Sequence, residues 1–284
     1  MNLLGFTDEA HIPLEDWIES SVQWLVTNYR DEFQLIKWPV EQTLDAIDGF
    51  LLWLPPLVVI LVTVLWAWRV ASWRVAIFSA LTFLLIGSLG MWEATMTTLA
   101  MVLSSVLFCT IVGVPLGILA SRSHRFESLL RPVLDAMQTT PAFVYLVPVV
   151  MLFSIGTVAG VIATIIFAMP PIIRLTDLGI RQVPTELLEA SKAFGCTPWQ
   201  TLIKVQIPLA MPTMMAGLNQ TIMLSLSMVV IAALIGAGGL GMPVFQGLNS
   251  LQVGLAGIGG ISIVLMAMVL DRITQAMGKS NHSL

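Results

Sequence analysis

Two glycine-containing stretches of the sequence resemble nucleotide-binding motifs, but one lacks the structural context that its motif needs and the other lacks a required glycine. Residues 236–241, GAGGLG, match G-x-G-x-x-G, whose glycines let a backbone approach a pyrophosphate. That role requires a preceding strand, whereas this stretch follows a long apolar run, and Pro243 lies just after it. Residues 278–280, GKS, resemble the end of a Walker A loop, but the first glycine of that loop is replaced by Ile273. We therefore predict that the chain itself binds neither ATP nor a dinucleotide.

Side chains that could form a catalytic or metal centre are scattered. His11, His124 and His282 are widely separated, and neither H-E-x-x-H nor G-x-S-x-G occurs. Cys109 and Cys196 also lie far apart, so neither a disulfide framework nor a metal cluster is indicated. The sequence predicts a protein that is not an enzyme, with no catalytic residues, no metal site and no cofactor of its own.

The acidic residues of positions 51–284, the apolar part of the chain, bear on whether the chain could be an ion-coupled carrier. They fall at the ends of apolar runs or in loops: Glu93, Glu127, Asp135, Asp177, Glu186, Glu189 and Asp271. An ion-coupled carrier usually keeps an ionisable residue at mid-membrane. A secondary transporter is therefore disfavoured, as is a channel, because no charged ring or filter-like segment is visible. Any transport energy must come from another protein.

The composition is that of a membrane protein. The chain has 284 residues, of which 57% are hydrophobic and 11% charged, and its mean hydropathy is +0.89. A helix needs about 20 mainly apolar residues to cross a bilayer. Helices are expected because backbone groups find no water partner in the bilayer. The sequence predicts an all-α polytopic fold with seven spans, at about 51–68, 75–92, 97–120, 133–155, 158–175, 210–235 and 251–270.

The charges predict the orientation of these spans. Residues 1–50 carry two basic and ten acidic residues, a net charge of −8, whereas residues 51–284 carry eleven basic and seven acidic residues, a net charge of +4. With seven spans, all eleven basic residues of the second part fall on one side, which the positive-inside rule makes cytoplasmic. The N-terminus is then outside and the C-terminus cytoplasmic. The first residues, MNLLGFTDEA, do not resemble a secretory signal peptide.

The acidic first part has the pattern of an amphipathic helix. Its apolar residues recur in steps of three and four: Ile18, Val22, Leu25, Tyr29, Phe33, Ile36, Val40, Leu44 and Ile47. Pro39 is expected to divide the stretch into two helices. We expect these helices to lie on the membrane surface or on the protein itself, as a packing or assembly element, with a regulatory role as the alternative.

The connection between the fifth and sixth predicted spans is about 35 residues long and contains its own helix signals. Thr185 is placed to cap a helix, and Lys192 suits its last turn. Gly195 is placed for a left-handed turn after that helix. Thr197 and Pro198 then predict the cap and first residue of a second short helix.

This connection resembles the EAA loop of binding-protein-dependent ABC importer permeases. Glu189-Ala190-Ser191, three residues, Gly195, nine residues and then Val205-Gln206-Ile207-Pro208 follow the family pattern E-A-A-x3-G-x9-I-x-L-P. Ser191, Val205 and Ile207 depart from it by small or volume-conserving changes. The resemblance implies a type I ABC importer permease fold in which this loop is a cytoplasmic coupling helix.

The resemblance implies roles for individual residues and a division of the chain. Glu189, Ala190 and Ser191 belong to the helix that docks on an ATPase, Gly195 makes its turn, and Val205, Ile207 and Pro208 lead back into the membrane. The stretch LIGAGGLG, with Gly236, Gly238, Gly239 and Gly241, resembles an external loop of betaine, methionine and phosphonate permeases. The implied segments are an amphipathic extension (1–50), two accessory spans (51–93), the permease domain (94–275, with the EAA loop at 184–212) and a cytoplasmic tail (276–284).

In its acidic extension, two accessory spans, glycine-rich loop and overall length, the chain is most similar to glycine betaine/proline transporter permeases. This implies a bacterial inner-membrane subunit that imports quaternary amines such as glycine betaine, choline, proline betaine or carnitine. The implied partners are two ATPase subunits that bind ATP, an external substrate-binding protein and a second copy of the permease. No nucleic-acid partner is expected. Methionine, phosphonate or another amino acid remains the alternative substrate, and an ion-coupled transporter or a membrane enzyme the less favoured classes.

Overall fold

The helices of this protein form a membrane bundle with short surface helices at both of its ends. The computed structural model describes residues 13–280. Its helices are α1 (Leu14–Asn28), α2 (Arg30–Trp53), α3 (Pro56–Val70), α4 (Trp73–Ser88), α5 (Trp92–Arg122), α6 (His124–Thr139), α7 (Leu146–Phe153), α8 (Thr157–Arg181), α9 (Thr185–Ala193), α10 (Pro198–Thr201), α11 (Ile207–Ile231), α12 (Gly241–Asn249) and α13 (Val253–Ser280). The predicted all-α fold is therefore confirmed.

The described residues contain four to six candidate membrane crossings, and one shorter apolar helix brings the total to the predicted seven. Four helical stretches are long and apolar enough to cross by themselves: 92–122, 157–181, 198–235 and 253–278. Two bent pairs, α2 with α3 and α6 with α7, can each supply one further crossing, and α4 is a shorter apolar helix. Helix α4 starts two residues before the predicted second span and ends four residues before its predicted end.

The centre of the bundle is a close parallel pair, α5 and α8. Gly117, near the end of α5, lies so close to α8 that a Cβ atom there would be 2.6 Å from Cβ of Thr176 and 2.7 Å from the carbonyl oxygen of Ile173. At the other end, a Cβ on Gly160 would meet the methyl group of Met101 at 3.4 Å. The two helices therefore start at the same end of the bundle, and the chain between them must return across it.

That return is made by a broken pair of helices, so the crossing predicted at 133–155 is present as a bent pair and not as one continuous helix. Helix α6 ends at Thr139, a 3-10 turn covers 142–145, and α7 follows at an angle of 107° to α6. Thr140 is extended (φ −70°, ψ 127°) because Pro141 follows it and disfavours helical backbone at the preceding residue. Helix α6 runs antiparallel to α8, since Asp135 pairs with Arg174 and the side chain of Gln138 reaches the carbonyl oxygen of Phe167.

The first predicted span, 51–68, also differs from the structure, because the helix that corresponds to it begins at Pro56. Residues 51–53 complete α2, and the chain then turns by 104° into α3, which starts at Pro56. Pro55 is extended because another proline follows it, so the helix ends before this pair. Helices α3 and α4 form a hairpin, whose buried residues Ala67 and Ala76 pack with Ile273 of α13.

The prediction that Pro39 divides two helices was wrong. The break falls at Tyr29, and Pro39 lies inside α2. A proline within a helix costs about 3 kcal/mol, and the packing of α2 on the bundle offsets this cost, since Val40 and Leu44 are 4% and 3% exposed. The predicted apolar row is thus partly confirmed: its second half packs on the protein, whereas Ile18 and Leu25 of α1 are exposed.

The sixth crossing is longer than predicted and begins inside the EAA loop. Helix α10, a π-helical segment at 202–206, α11 and a 3-10 turn form one continuous stretch from Pro198 to Ile235. The expected second short helix is therefore the start of the sixth crossing. Pro208 has no N–H to bond to the carbonyl of residue 204, which accounts for a widened turn at this place.

The basic residues of 51–284 lie on segments at one end of the bundle, here called the basic end. Contacts join these segments: Gly117 approaches Thr176, Gly179 approaches Ala210, and Asn219 bonds to Thr274. Helix α2 packs at the opposite end, where Phe33 contacts Phe153 at 5.7 Å between ring centroids. Predictions for residues 1–12, including the absence of a signal peptide, and for 281–284 of the tail lie outside the described residues.

Candidate functional site

The EAA loop forms a tight pair of helices at the basic end. Gly195 has φ +76°, and its N–H donates to the carbonyl of Lys192 at 2.9 Å. The N–H of Cys196 then donates to the carbonyl of Ser191 at 3.0 Å. This pattern closes the end of α9 and reverses the chain, and it needs the left-handed conformation that glycine adopts without strain. The conformation is the one predicted for Gly195.

The caps of the two helices differ from each other. Thr197 and Gln200 form a reciprocal capping box, so the predicted cap at Thr197 is confirmed. The predicted cap at Thr185 was wrong, because Pro184 occupies the cap position without a side-chain bond and Thr185 is the first helical residue. Proline fixes the entry to α9 through its own φ of −55°, so a hydroxyl cap is not required to set the direction of the chain.

A hydroxyl contact holds the two helices together. Oγ of Ser191 lies 3.1 Å from Oγ1 of Thr201, and both residues are buried. Ser191 is one of the departures from the family pattern, in which alanine stands at this place. The serine hydroxyl adds a polar contact between the two helices that an alanine could not make.

The outer surface of the EAA loop combines exposed charges with large exposed apolar side chains. Glu189 and Ala190 are exposed on α9. Phe194 is 88% exposed and Trp199 is 65% exposed. Apolar rings of this size pointing away from the bundle mark a surface that contacts another protein or lipid. Sequence reasoning did not select Phe194, which precedes the predicted turn residue Gly195, or Trp199, which follows the predicted first helical residue Pro198.

The end of α5 supports this surface. The guanidinium carbon of Arg122 lies 5.6 Å from the centre of the Trp199 ring. A cation over an aromatic face is favourable, so Arg122 helps to fix the ring. The remaining residues of the motif continue into the bundle: Val205 and Ile207 are half-buried, and Pro208 is exposed near the start of α11.

The second predicted site, the glycine-rich loop, lies at the end of the bundle opposite the basic end. Gly236, Gly238 and Gly239 have φ of +72°, +79° and +67°, and a Cβ on Gly241 would lie 2.9 Å from Cβ of Ala233 and the carbonyl oxygen of Val230. The N–H of Leu240 donates to Oγ1 of Thr98 at 2.7 Å. The glycines therefore let the loop pack against the start of α5, a contact that the sequence did not reveal. The other glycine-containing stretch, Gly278–Ser280, forms the end of helix α13.

Comparison with protein families and known proteins gives consistent results. The family model described as binding-protein-dependent transport system inner membrane component matches residues 113–280, starting within α5. The Escherichia coli protein called glycine betaine/proline betaine transport system permease protein ProW is 52% identical, over 99% of this chain and 80% of its own length.

Two further relatives match over nearly their whole length. The glycine betaine transport system permease protein OpuAB of Bacillus subtilis is 47% identical, over 93% of this chain and 94% of its own. The glycine betaine/carnitine transport permease protein GbuB of Listeria monocytogenes is 48% identical, over 96% and 98%. Among solved structures, an inward-facing MetNI methionine ABC transporter matches with a TM-score of 0.56 and 26% identity, over 63% of this chain and 92% of the other.

Proposed function

Because the chain belongs to the family of binding-protein-dependent transport system inner membrane components, we propose that it is the permease subunit of an ATP-driven importer for quaternary amines. It forms the translocation pathway and takes its energy from a separate ATPase. The observation that carries this proposal is the EAA loop, a closed helix pair that presents Phe194 and Trp199 outward at the basic end.

A lever that transmits movement must be rigid, because a flexible loop would absorb the displacement. The described contacts supply this rigidity in three places: the turn at Gly195, the hydroxyl contact between Ser191 and Thr201, and the continuous helix from Pro198 into the sixth crossing. We assign Glu189, Ala190 and the exposed ring of Phe194 to the surface that docks in a groove of the ATPase. Val205, Ile207 and Pro208 carry the movement into α11. Alternation between two bundle states follows from displacement of such an element.

The named relatives favour glycine betaine, proline betaine or carnitine as the transported solute. These solutes, like choline, carry a quaternary ammonium group, which donates no hydrogen bond and is held by aromatic faces. Methionine is the alternative, since the matched solved structure is a methionine transporter. The three named relatives are 47–52% identical in sequence to this chain, whereas the methionine transporter is 26% identical to it. Quaternary amines are therefore the better-supported class of solute.

The proposed complex contains two ATPase subunits, a substrate-binding protein and a second copy of this chain. ATP binds to the ATPase, and this chain contributes neither catalytic residues nor a cofactor. The positive-inside rule places the basic end in the cytoplasm. The glycine-rich loop and α2 then lie on the outer side of a bacterial inner membrane, with the N-terminus outside and the C-terminus inside.

Copurification of the ATPase tests the docking surface. The tagged chain is coexpressed with the partner ATPase and the substrate-binding protein. We expect Phe194→Asp to reduce the recovered ATPase by about tenfold, because a charge placed in a buried interface must be desolvated. Leu251→Asp is the matched control, since Leu251 is also 88% exposed but lies at the opposite end. Equal recovery with both variants would exclude this docking surface.

A further inference from the structure

The last residue of α8, Arg181, joins three helices immediately before the EAA loop. Its Nη2 donates to the carbonyl oxygen of Ala120 in α5 at 2.7 Å and lies 2.8 Å from Oε2 of Glu127 in α6. Its Nε donates to Oδ1 of Asp177, one turn earlier on α8, at 2.7 Å. A planar guanidinium can hold several acceptors in fixed directions. Arg181 therefore fixes the ends of α5 and α8 and the start of α6 relative to one another.

The partner in α6 is unusual because it is a buried carboxylate. Glu127 is 8% exposed and is the one buried charged residue in the described part of the chain. Arg131 also pairs with it from the next turn of α6. A buried charge is costly unless it is paired and hydrogen-bonded. His124 also pairs with Glu127. Since both His124 and Arg131 lie on α6 itself, Arg181 is the partner through which this carboxylate holds the start of α6 to the end of α8.

The position of Arg181 in the chain connects this ion pair to the EAA loop. Only residues 182–184 separate it from α9, and Val183 among them is buried. The neighbouring Ile180 packs with Leu202 and Ala210, at the start of the sixth crossing. A displacement of α9 must therefore move the end of α8 and, with it, the group that holds α6.

We propose that Arg181 is a positioning residue that transmits displacement of the coupling helix to α6, the first half of the broken crossing, through Glu127. The sixth crossing receives the movement through its continuous helix, and α6 receives it through this ion pair. Helix α6 and the sixth crossing then respond to the same ATPase. This inference rests on the proposed function.

The test is the number of solute molecules imported per ATP hydrolysed, measured with the complete complex in proteoliposomes. Arg181→Gln should lower this ratio by about tenfold, within the usual range for loss of coupling between two sites, while ATP hydrolysis continues. Glu127→Gln should have the same effect. The double variant should be no worse than either single variant, because residues that act through one another are not additive.

The matched control is Arg174→Gln, which removes an ion pair with Asp135 between the same two helices. That pair is more exposed, with side chains 42% and 57% exposed, and lies farther from α9, so the ratio should stay unchanged. A purely structural role for Arg181 would lower uptake and hydrolysis together and leave the ratio unchanged, which would overturn the proposal. If Arg181→Gln does not assemble, Glu127→Gln decides the question by the same ratio. If the unaltered complex shows no ATP-driven uptake, the proposed function fails as well.

Discussion

At the scale of single residues, the conformations of a few glycines determine the shape of both candidate sites. Gly195 was identified from the sequence because a glycine after a helix signal predicts a left-handed turn. The contact of the glycine-rich loop with Thr98 was not predictable, because Thr98 and Leu240 are 142 residues apart. Arg181 was predicted only as one of the basic residues of the cytoplasmic side. Its contacts with α5 and α6 depend on how three helices pack together, which local sequence patterns do not predict.

The turn at Gly195 gives a direct prediction. Gly195→Val should reduce uptake strongly, because left-handed backbone costs about 1–2 kcal/mol for a residue with a Cβ and more for a β-branched one. Gly195→Asn is the control, since asparagine tolerates this conformation, and it should retain most uptake. Uptake in proteoliposomes checks both variants. Equal activity of the two would show that the turn is not needed for coupling.

Two alanine variants distinguish backbone strain from steric collision at the glycine-rich loop. A Cβ on Gly239 would lie 2.5 Å from Oγ1 of Thr98, so Gly239→Ala should displace the hydroxyl that accepts from Leu240. Gly90→Ala introduces a Cβ at a similar φ, +72°, with no atom within 4 Å. The first variant should lower the melting temperature more than the second, by the equivalent of about 1–3 kcal/mol for a lost buried bond. Equal melting temperatures would contradict the packing described for this loop.

At the scale of the helices, the sequence predicted which segments cross the membrane better than it predicted their shape. Long apolar runs are informative because a bilayer requires them, and the seven predicted crossings correspond to helices. The breaks were less predictable. Pro141 interrupts the fourth crossing, whereas Pro39 is accommodated inside α2. The difference is that burial of Val40 and Leu44, in the turns that follow Pro39, supports α2, and tertiary contacts of this kind are not visible in the sequence.

The close pairing of α5 and α8 can be tested at Gly117. Gly117→Ala should destabilise the protein by about 1–3 kcal/mol, because the added methyl group meets a backbone oxygen and cannot be accommodated by a side-chain rotation. Gly260→Ala, in a helix where no atom lies within 4 Å of the added Cβ, should be neutral or stabilising. Thermal unfolding in detergent compares the two. A neutral result at Gly117 would contradict the helix contact.

At the scale of the whole molecule, the distribution of charge connects the fold with the function. The EAA loop and Arg181 lie at the basic end, which is the end assigned to the cytoplasm. The acidic helix α2 packs at the opposite end. The sequence could predict this polarity because few charges are present and their order along the chain is simple. It could not predict that α2 packs on the bundle rather than on lipid, since the same apolar face suits either surface.

Cysteine labelling checks this polarity. In a chain without its native cysteines, Leu251→Cys should react with a membrane-impermeant maleimide added to spheroplasts, because position 251 is exposed at the end assigned to the outside. Ser128→Cys, exposed near the start of α6, should react only after the membrane is permeabilised. The opposite pattern would invert the proposed orientation.

The most direct test of the central proposal is glycine betaine uptake into proteoliposomes that contain this chain and its ATPase. With the binding protein outside and ATP on the ATPase side, we expect accumulation against a concentration gradient. That accumulation should stop when the ATPase or ATP is omitted. Uptake driven by an ion gradient without the ATPase would contradict the proposed mechanism, and ATP-driven uptake of methionine but not of glycine betaine, choline or carnitine would contradict the proposed substrate class.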